Sequence, residues 1–157
     1  MNKAHKITFT AMLAAMYAAT VFALAPISFG MVQLRAAGML QGLALVRPEF
    51  AVALGIGNFI ANQVSPFGIY DWAIMPFFTW AAAHLAWRLR RLPLLALVTQ
   101  SLLIAIGVAT FPLGLGAGLP WLFSFVSVFG SMLIITTLGY IVLAPAWRYV
   151  EQIVVSG

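Results

Sequence analysis

The chain has 157 residues, of which 64% are hydrophobic and 7% charged, whereas about a quarter of a soluble globular domain is charged, so a water-soluble fold is excluded. It contains no cysteine, which removes disulfides and thiolate chemistry. The net charge of +5 comes from eight Lys and Arg residues that punctuate apolar stretches instead of forming a stripe, so no nucleic-acid partner is expected.

A spanning helix uses about 20 apolar residues. The length therefore accommodates five or six spans in one membrane-embedded, solute-binding domain, residues 1–157, with short loops. The first predicted span covers residues 7–25. Behind Lys3, His5 and Lys6 it reads as an uncleaved first helix, because no small-residue cleavage site and soluble domain follow it. Pro26 is expected to stop it, and PISFG then forms a punctuated loop leading through Gln33 to Arg35. A second, short apolar stretch at 36–46 ends in the turn Arg47-Pro48-Glu49, and a third span follows at 50–64. SPFGIY is the next loop. Asp71 opens a fourth span that closes at Arg88, Arg90, Arg91 and Pro93, and a fifth covers 94–111. Residues 112–120, with three glycines between two prolines, resist regular helix; a sixth span is predicted at 121–143, ahead of Arg148 and a short tail. The expected fold is an all-α integral membrane bundle of about six transmembrane helices.

Placing the N-terminus inside puts Lys3, Lys6, Arg47, Arg88, Arg90, Arg91 and Arg148 on the cytoplasmic side of six alternating spans. Both termini are then cytoplasmic, in a multi-pass protein of a prokaryotic cytoplasmic membrane, with lipid as its surroundings. Arg35 is left as the lone outer cation and Asp71 as the lone outer carboxylate, in loops placed to meet over one cavity.

With three acidic residues, two histidines and no cysteine, the chain lacks a nucleophile with a base, a carboxylate pair or a metal-ligand set. No catalytic residue, metal or cofactor is expected. His5 and His84 are too separated to form a site with Asp71, and no GxxxxGK[ST] phosphate loop is present, so energy for active transport would come from a partner or an ion gradient. Asn58 and Asn62, four apart, share one helix face. Their amides suit the donor and acceptor edge of a planar heterocycle, or else bond neighbouring helices. Asp71 is either an N-cap or an anion facing the outer cavity. Arg35 is its salt-bridge partner, a headgroup anchor or a ligand contact, and Gln33 shares that loop. Gln41 and Gln100 lie inside predicted spans, where they line a cavity or join helices. Phe29, Tyr70 and Trp72 either stack on a flat ligand or, the favoured reading, form an interfacial belt. The methionines read as packing. Ala11, Ala15 and Ala19, flanked by Ala14 and Ala18, form a small-residue face for a neighbouring helix, within the chain or from another subunit.

TAMLAAMYAAT, APISFGMVQLR and IGNFIANQVSPFGIYDWA occur in the order and spacing of the queuosine-precursor transporter family, and over nearly its whole length the chain resembles these substrate-binding S components of energy-coupling-factor (ECF) transporters. The resemblance implies a six-helix S component that captures a 7-deazaguanine, such as a queuosine precursor or queuine, from outside. It further implies association with a transmembrane coupling subunit and two cytoplasmic ATPases, the coupling subunit meeting Ala11, Ala14, Ala15, Ala18 and Ala19. The loop 26–35 would gate the pocket, with Asn58, Asn62 and Asp71 as chief polar contacts and Gln33, Arg35 and Gln100 as further candidates. Two departures stand out. Gly38 replaces a common Glu, and Thr99-Gln100 and Val108 stand where the family carries an Asn and an acidic residue, which points to a less cationic heterocycle. The alternative is an autonomous small-solute permease for another planar heterocycle; a polytopic membrane enzyme or an assembly factor is disfavoured by the shortage of titratable residues.

Overall fold

The computed structural model describes residues 3–28 and 35–156, and every regular element among them is helical. Helix α1 spans Lys3–Ala23 and is followed by the single turn α2, Ala25–Ser28. Pro26 does not end the chain's helical course as expected, because it sits in the first turn of α2, where a missing N–H costs no hydrogen bond. Helix α3 spans Gly38–Gln41 and continues as a 3-10 segment, Gly42–Leu45; α4 spans Glu49–Ala61 and closes in a 3-10 turn, Asn62–Val64. A π-helical turn, Tyr70–Ile74, leads into α5, Met75–Arg88. Helix α6, Pro93–Thr110, passes into a second π-helical turn, Phe111–Gly116, and α7 spans Trp121–Ser156. The region expected to be irregular thus carries six more residues of wider winding. That winding accommodates Pro112, which has no N–H for the α ladder.

Helix α1 packs on α4, α4 on α5, α5 on α6 and α6 on α7, while α7 carries α3 and its 3-10 extension. The second predicted span is therefore an interior segment: Gly42, Leu43, Ala44 and Leu45 are all buried. Its approach to α7 is backbone on backbone. A Cβ at Gly42 would lie 2.7 Å from the Thr136 carbonyl oxygen, and one at Gly139 would run into the Met39 carbonyl. Glycine at both positions is what lets the two segments cross.

Helix α7 is one continuous 36-residue helix with Pro145 inside it, so the expected tail beyond 143 is helical instead. Tertiary contacts offset the proline's lost hydrogen bond. Trp147 meets Phe9 and Phe50 edge to face at 5.1 and 4.9 Å, and Glu151 is ion-paired with Arg47. Lys6 pairs with Glu49 at 2.9 Å. These contacts bring the first turn of α1, the head of α4 and the last turns of α7 together at one end of the bundle.

Among the described residues, three helices are long and apolar enough to cross a membrane: Lys3–Ala23, Pro93–Gly116 and Trp121–Gln152. Large apolar side chains such as Phe77, 72% exposed, Leu122 and Ile134 point outward, a surface suited to lipid and not to water. Inside, one cluster gathers Leu13, Tyr17, Phe50 and Leu54, and a second gathers Met75, Ile104, Val128 and Met132.

Candidate functional site

Six polar residues of the interior join into one hydrogen-bonded chain. One turn apart at the C-terminal end of α4, Asn58 and Asn62 are both buried. Asn58 Nδ2 donates to the Tyr17 hydroxyl oxygen on α1 at 3.1 Å, and Asn62 Nδ2 lies 2.9 Å from Asn58 Oδ1. The same Asn62 nitrogen is 2.9 Å from the Asp71 backbone oxygen and 3.0 Å from Asp71 Oδ1. Asp71 Oδ2 in turn accepts from Ser65 Oγ at 2.6 Å and from Arg35 Nη2 at 3.2 Å. The chain thus runs from Tyr17 through Asn58 and Asn62 to Asp71, and there it meets Ser65 and Arg35.

Asp71 is not the helix cap that its place before an apolar run suggests. The π-helical turn begins after Ile69 without a side-chain cap, and the Asp71 carboxylate bonds the side chains of Asn62, Ser65 and Arg35 instead. Arg35 also donates through Nε to the Ser28 carbonyl at 3.4 Å. Burying a carboxyl group until it is 1% exposed is costly unless donors surround it, as they do here.

Beside this chain lies a small chamber of about 10 Å³, whose polar walls are Tyr17, Arg35, Gln41, Asn58 and Thr79, with Met75 and Met132 among its apolar ones. That volume is roughly one water-sized sphere. Arg35 and Asn58 line the chamber, whereas Asn62 and Asp71 stand one hydrogen bond behind it. Gln100 is buried but serves another purpose: Nε2 donates to the Gln41 backbone carbonyl at 3.1 Å, bracing α3 against α6. Gln33 and Phe29 lie outside the described residues. Trp72 faces away, edge to face with Phe59 at 6.2 Å on the exterior. His84 stacks on Trp80 at 5.8 Å near the far end of α5 and accepts from Arg88 at 3.4 Å, remote from Asp71.

Tyr17, Thr79, Met75 and Met132 were not foreseen as lining residues. Tyr17 carried a signal, since a tyrosine midway along a span is out of place in an interfacial belt.

The five alanines of α1 divide between two environments. Ala14 and Ala18 are buried, and Ala14 meets α4 so closely that a Cβ at Gly57 would lie 2.9 Å from its carbonyl oxygen. Ala11, Ala15 and Ala19 are exposed. Ala11 and Ala15, with the edge of Ala14, border a groove of about 560 Å³ whose other wall is Val52, Ile56 and Ile60 of α4.

A helical bundle with an apolar exterior and helices of membrane-spanning length defines an integral membrane protein. Residues 7–146 match the model of the QueT transporter family, and the chain belongs to that family of queuosine-precursor transporters. No curated protein matches the chain, and no solved structure matches it.

Proposed function

We propose that the protein is the substrate-binding S component of an ECF-type importer, and that it captures a 7-deazaguanine and hands it to a transmembrane coupling subunit driven by two cytoplasmic ATPases. The observation that carries this reading is the hydrogen-bonded chain from Tyr17 to Asp71 beside a chamber lined by six helical segments. Amide and hydroxyl groups fixed in that way suit the donor and acceptor edge of a flat base. Reliance on partner ATPases agrees with the missing phosphate loop. In this reading the bundle spans the cytoplasmic membrane six times, the ion-paired end bearing Lys6, Arg47 and Glu151 faces the cytoplasm, and Asp71 lies toward the outside. The exposed Ala11, Ala15 and Ala19 edge of α1 receives the coupling subunit.

Among deazaguanines, an uncharged one is favoured. The only acid near the chamber is Asp71, and Arg35 balances it. The position of the family's Glu is taken by Gly38, where a Cβ would already lie 3.0 Å from Ile135 Cγ2 and 3.6 Å from the Met132 sulfur. An aminomethyl cation would enter this interior without a counter-charge, whereas a nitrile would not need one.

The test is a titration of the detergent-purified protein with queuine, the aminomethyl and nitrile precursors and guanine, followed by intrinsic Trp fluorescence. Saturable binding of a deazapurine in preference to guanine, with the nitrile ahead of the aminomethyl compound, is the expected result. Silence toward all deazapurines from folded protein would overturn the cargo, and transport by the isolated chain in liposomes would overturn the S-component mechanism in favour of an autonomous permease.

A further inference from the structure

The polar groups around the chamber differ in how much of their hydrogen-bonding capacity is already used. Asp71 has both carboxylate oxygens occupied by donors of its own chain, from Asn62, Ser65 and Arg35. Asn58 is engaged at both ends of its amide, toward Tyr17 and from Asn62. Gln41 is different. Its side chain lines the chamber and is 3% exposed, yet Oε1 has no donor among the described residues. A buried amide oxygen without a donor costs stability until a donor arrives.

Its backbone is also firmly held. Gln41 ends α3, its carbonyl is held by Gln100, and the next residue, Gly42, rests on the backbone of α7. The carboxamide is therefore presented from a braced backbone, which favours discrimination over adaptability. Tyr17 complements it: its hydroxyl accepts from Asn58, which leaves its own proton to donate into the chamber. An acceptor and a donor facing one small space match the lactam and amine edge of a guanine-like ring.

We propose that Gln41 Oε1 accepts one N–H from the lactam–amine edge of the bound heterocycle, and that Asp71 is a positioning residue which holds Arg35 and Asn62 in place without touching the ligand. This assignment rests on the deazaguanine reading of the cargo. It moves the reading of the ring from the outer carboxylate to the interior segment α3. Met75 and Met132, unbranched and adaptable, are the walls that yield when a ring enters a space now sized for one water.

The experiment compares three probes on the full-length purified chain: 7-deazaguanine, 7-deazahypoxanthine, which lacks the exocyclic amine, and 1-methyl-7-deazaguanine, which lacks the ring N–H. Wild type is expected to prefer the first over at least one of the others by about tenfold or more, the scale of one buried donor left unmatched. In Gln41→Leu that preference falls to within about twofold while the unfolding temperature without ligand is unchanged or higher, since the variant removes an unsatisfied acceptor. Gln41→Met serves the same purpose if the leucine variant does not fold. Asp71→Asn weakens binding of all three probes but keeps the preference. Preferences intact in both Gln41 variants, or abolished by Asp71→Asn, would overturn the assignment alone. A wild type silent toward 7-deazaguanine and its nitrile derivative would overturn the cargo reading, and this assignment with it.

Discussion

Arg35 and Asp71 stand 36 residues apart in the chain and meet with Nη2 3.2 Å from Oδ2, their side chains 8% and 1% exposed. Burial makes this pair sensitive to the loss of either partner alone. Arg35→Met and Asp71→Asn are each expected to cost about 3 kcal/mol, because each strands a group that the interior holds only in company. The double variant should cost clearly less than the sum. Thermal unfolding in detergent reads all three, and strictly additive losses would show that the two residues are not coupled.

The crossing of α3 and α7 gives a contrast between glycines of one helix. Gly139→Ala drives a methyl group into the Met39 carbonyl, whereas a Cβ at Gly130 meets nothing within 4 Å. Gly139→Ala should destabilise by at least about 2 kcal/mol. Gly130→Ala should be neutral or stabilise by about 0.5–1 kcal/mol, since it only removes backbone freedom from the unfolded chain. Equal unfolding temperatures for the two variants would contradict the close crossing.

Neighbouring alanines on α1 should separate folding from assembly. Ala14→Leu forces α1 off α4 near Gly57 and should lower the folded yield. Ala15→Leu, on the exposed edge, should leave yield and unfolding temperature unchanged while abolishing co-purification with a coupling subunit and its ATPases. Retention of the partners by folded Ala15→Leu would remove this edge from the docking surface.

At the charged end of the bundle, burial by itself raises the pKa of Glu49, but the hydrogen bond from Lys6 and the charges of Lys6 and Arg47 outweigh it and hold the carboxyl below its ordinary value of 4.5. A depressed carboxyl stabilises the folded state above its unfolded pKa and loses that contribution as pH falls through the folded value. The gap in unfolding temperature between wild type and Glu49→Gln should therefore be small and constant above pH 4.5 and close as the pH drops below it. A gap that widens in acid would reverse the sign of the interaction.

Several features of the site were legible in the sequence for plain reasons. A spacing of four places Asn58 and Asn62 on one face, and the alternation of spans brings Arg35 and Asp71 to the same end. Local rules failed where tertiary contact decides. A carboxylate before an apolar run reads as a cap until Asn62, Ser65 and Arg35 reach it. The position of Gln100 inside a span leaves cavity lining and helix joining equally open, and the partner it meets is a backbone carbonyl of α3, 59 residues away. The stretch 36–46 reads as a short span, but hydropathy does not distinguish a segment facing lipid from one buried among helices, which is where Gly42–Leu45 lie. The continuation of α7 past Pro145 was equally hidden, since it depends on Trp147 and Glu151 finding partners near the start of the chain and at the head of α4.

The lengths of α4 and α7 carry one more consequence. At 1.5 Å per residue, the 13 residues of α4 rise about 20 Å and the 36 of α7 about 54 Å, against a hydrocarbon layer about 30 Å thick. The protein therefore presents lipid with walls of unequal height. Where Val52, Ile56 and Ile60 of α4 face outward, acyl chains must shorten or tilt to meet a low wall, and such mismatch costs fractions of a kcal/mol per Å. A second helical protein pressed against that wall would relieve the deformation, so the thickness of the host bilayer would set part of the affinity of any helical protein that docks there.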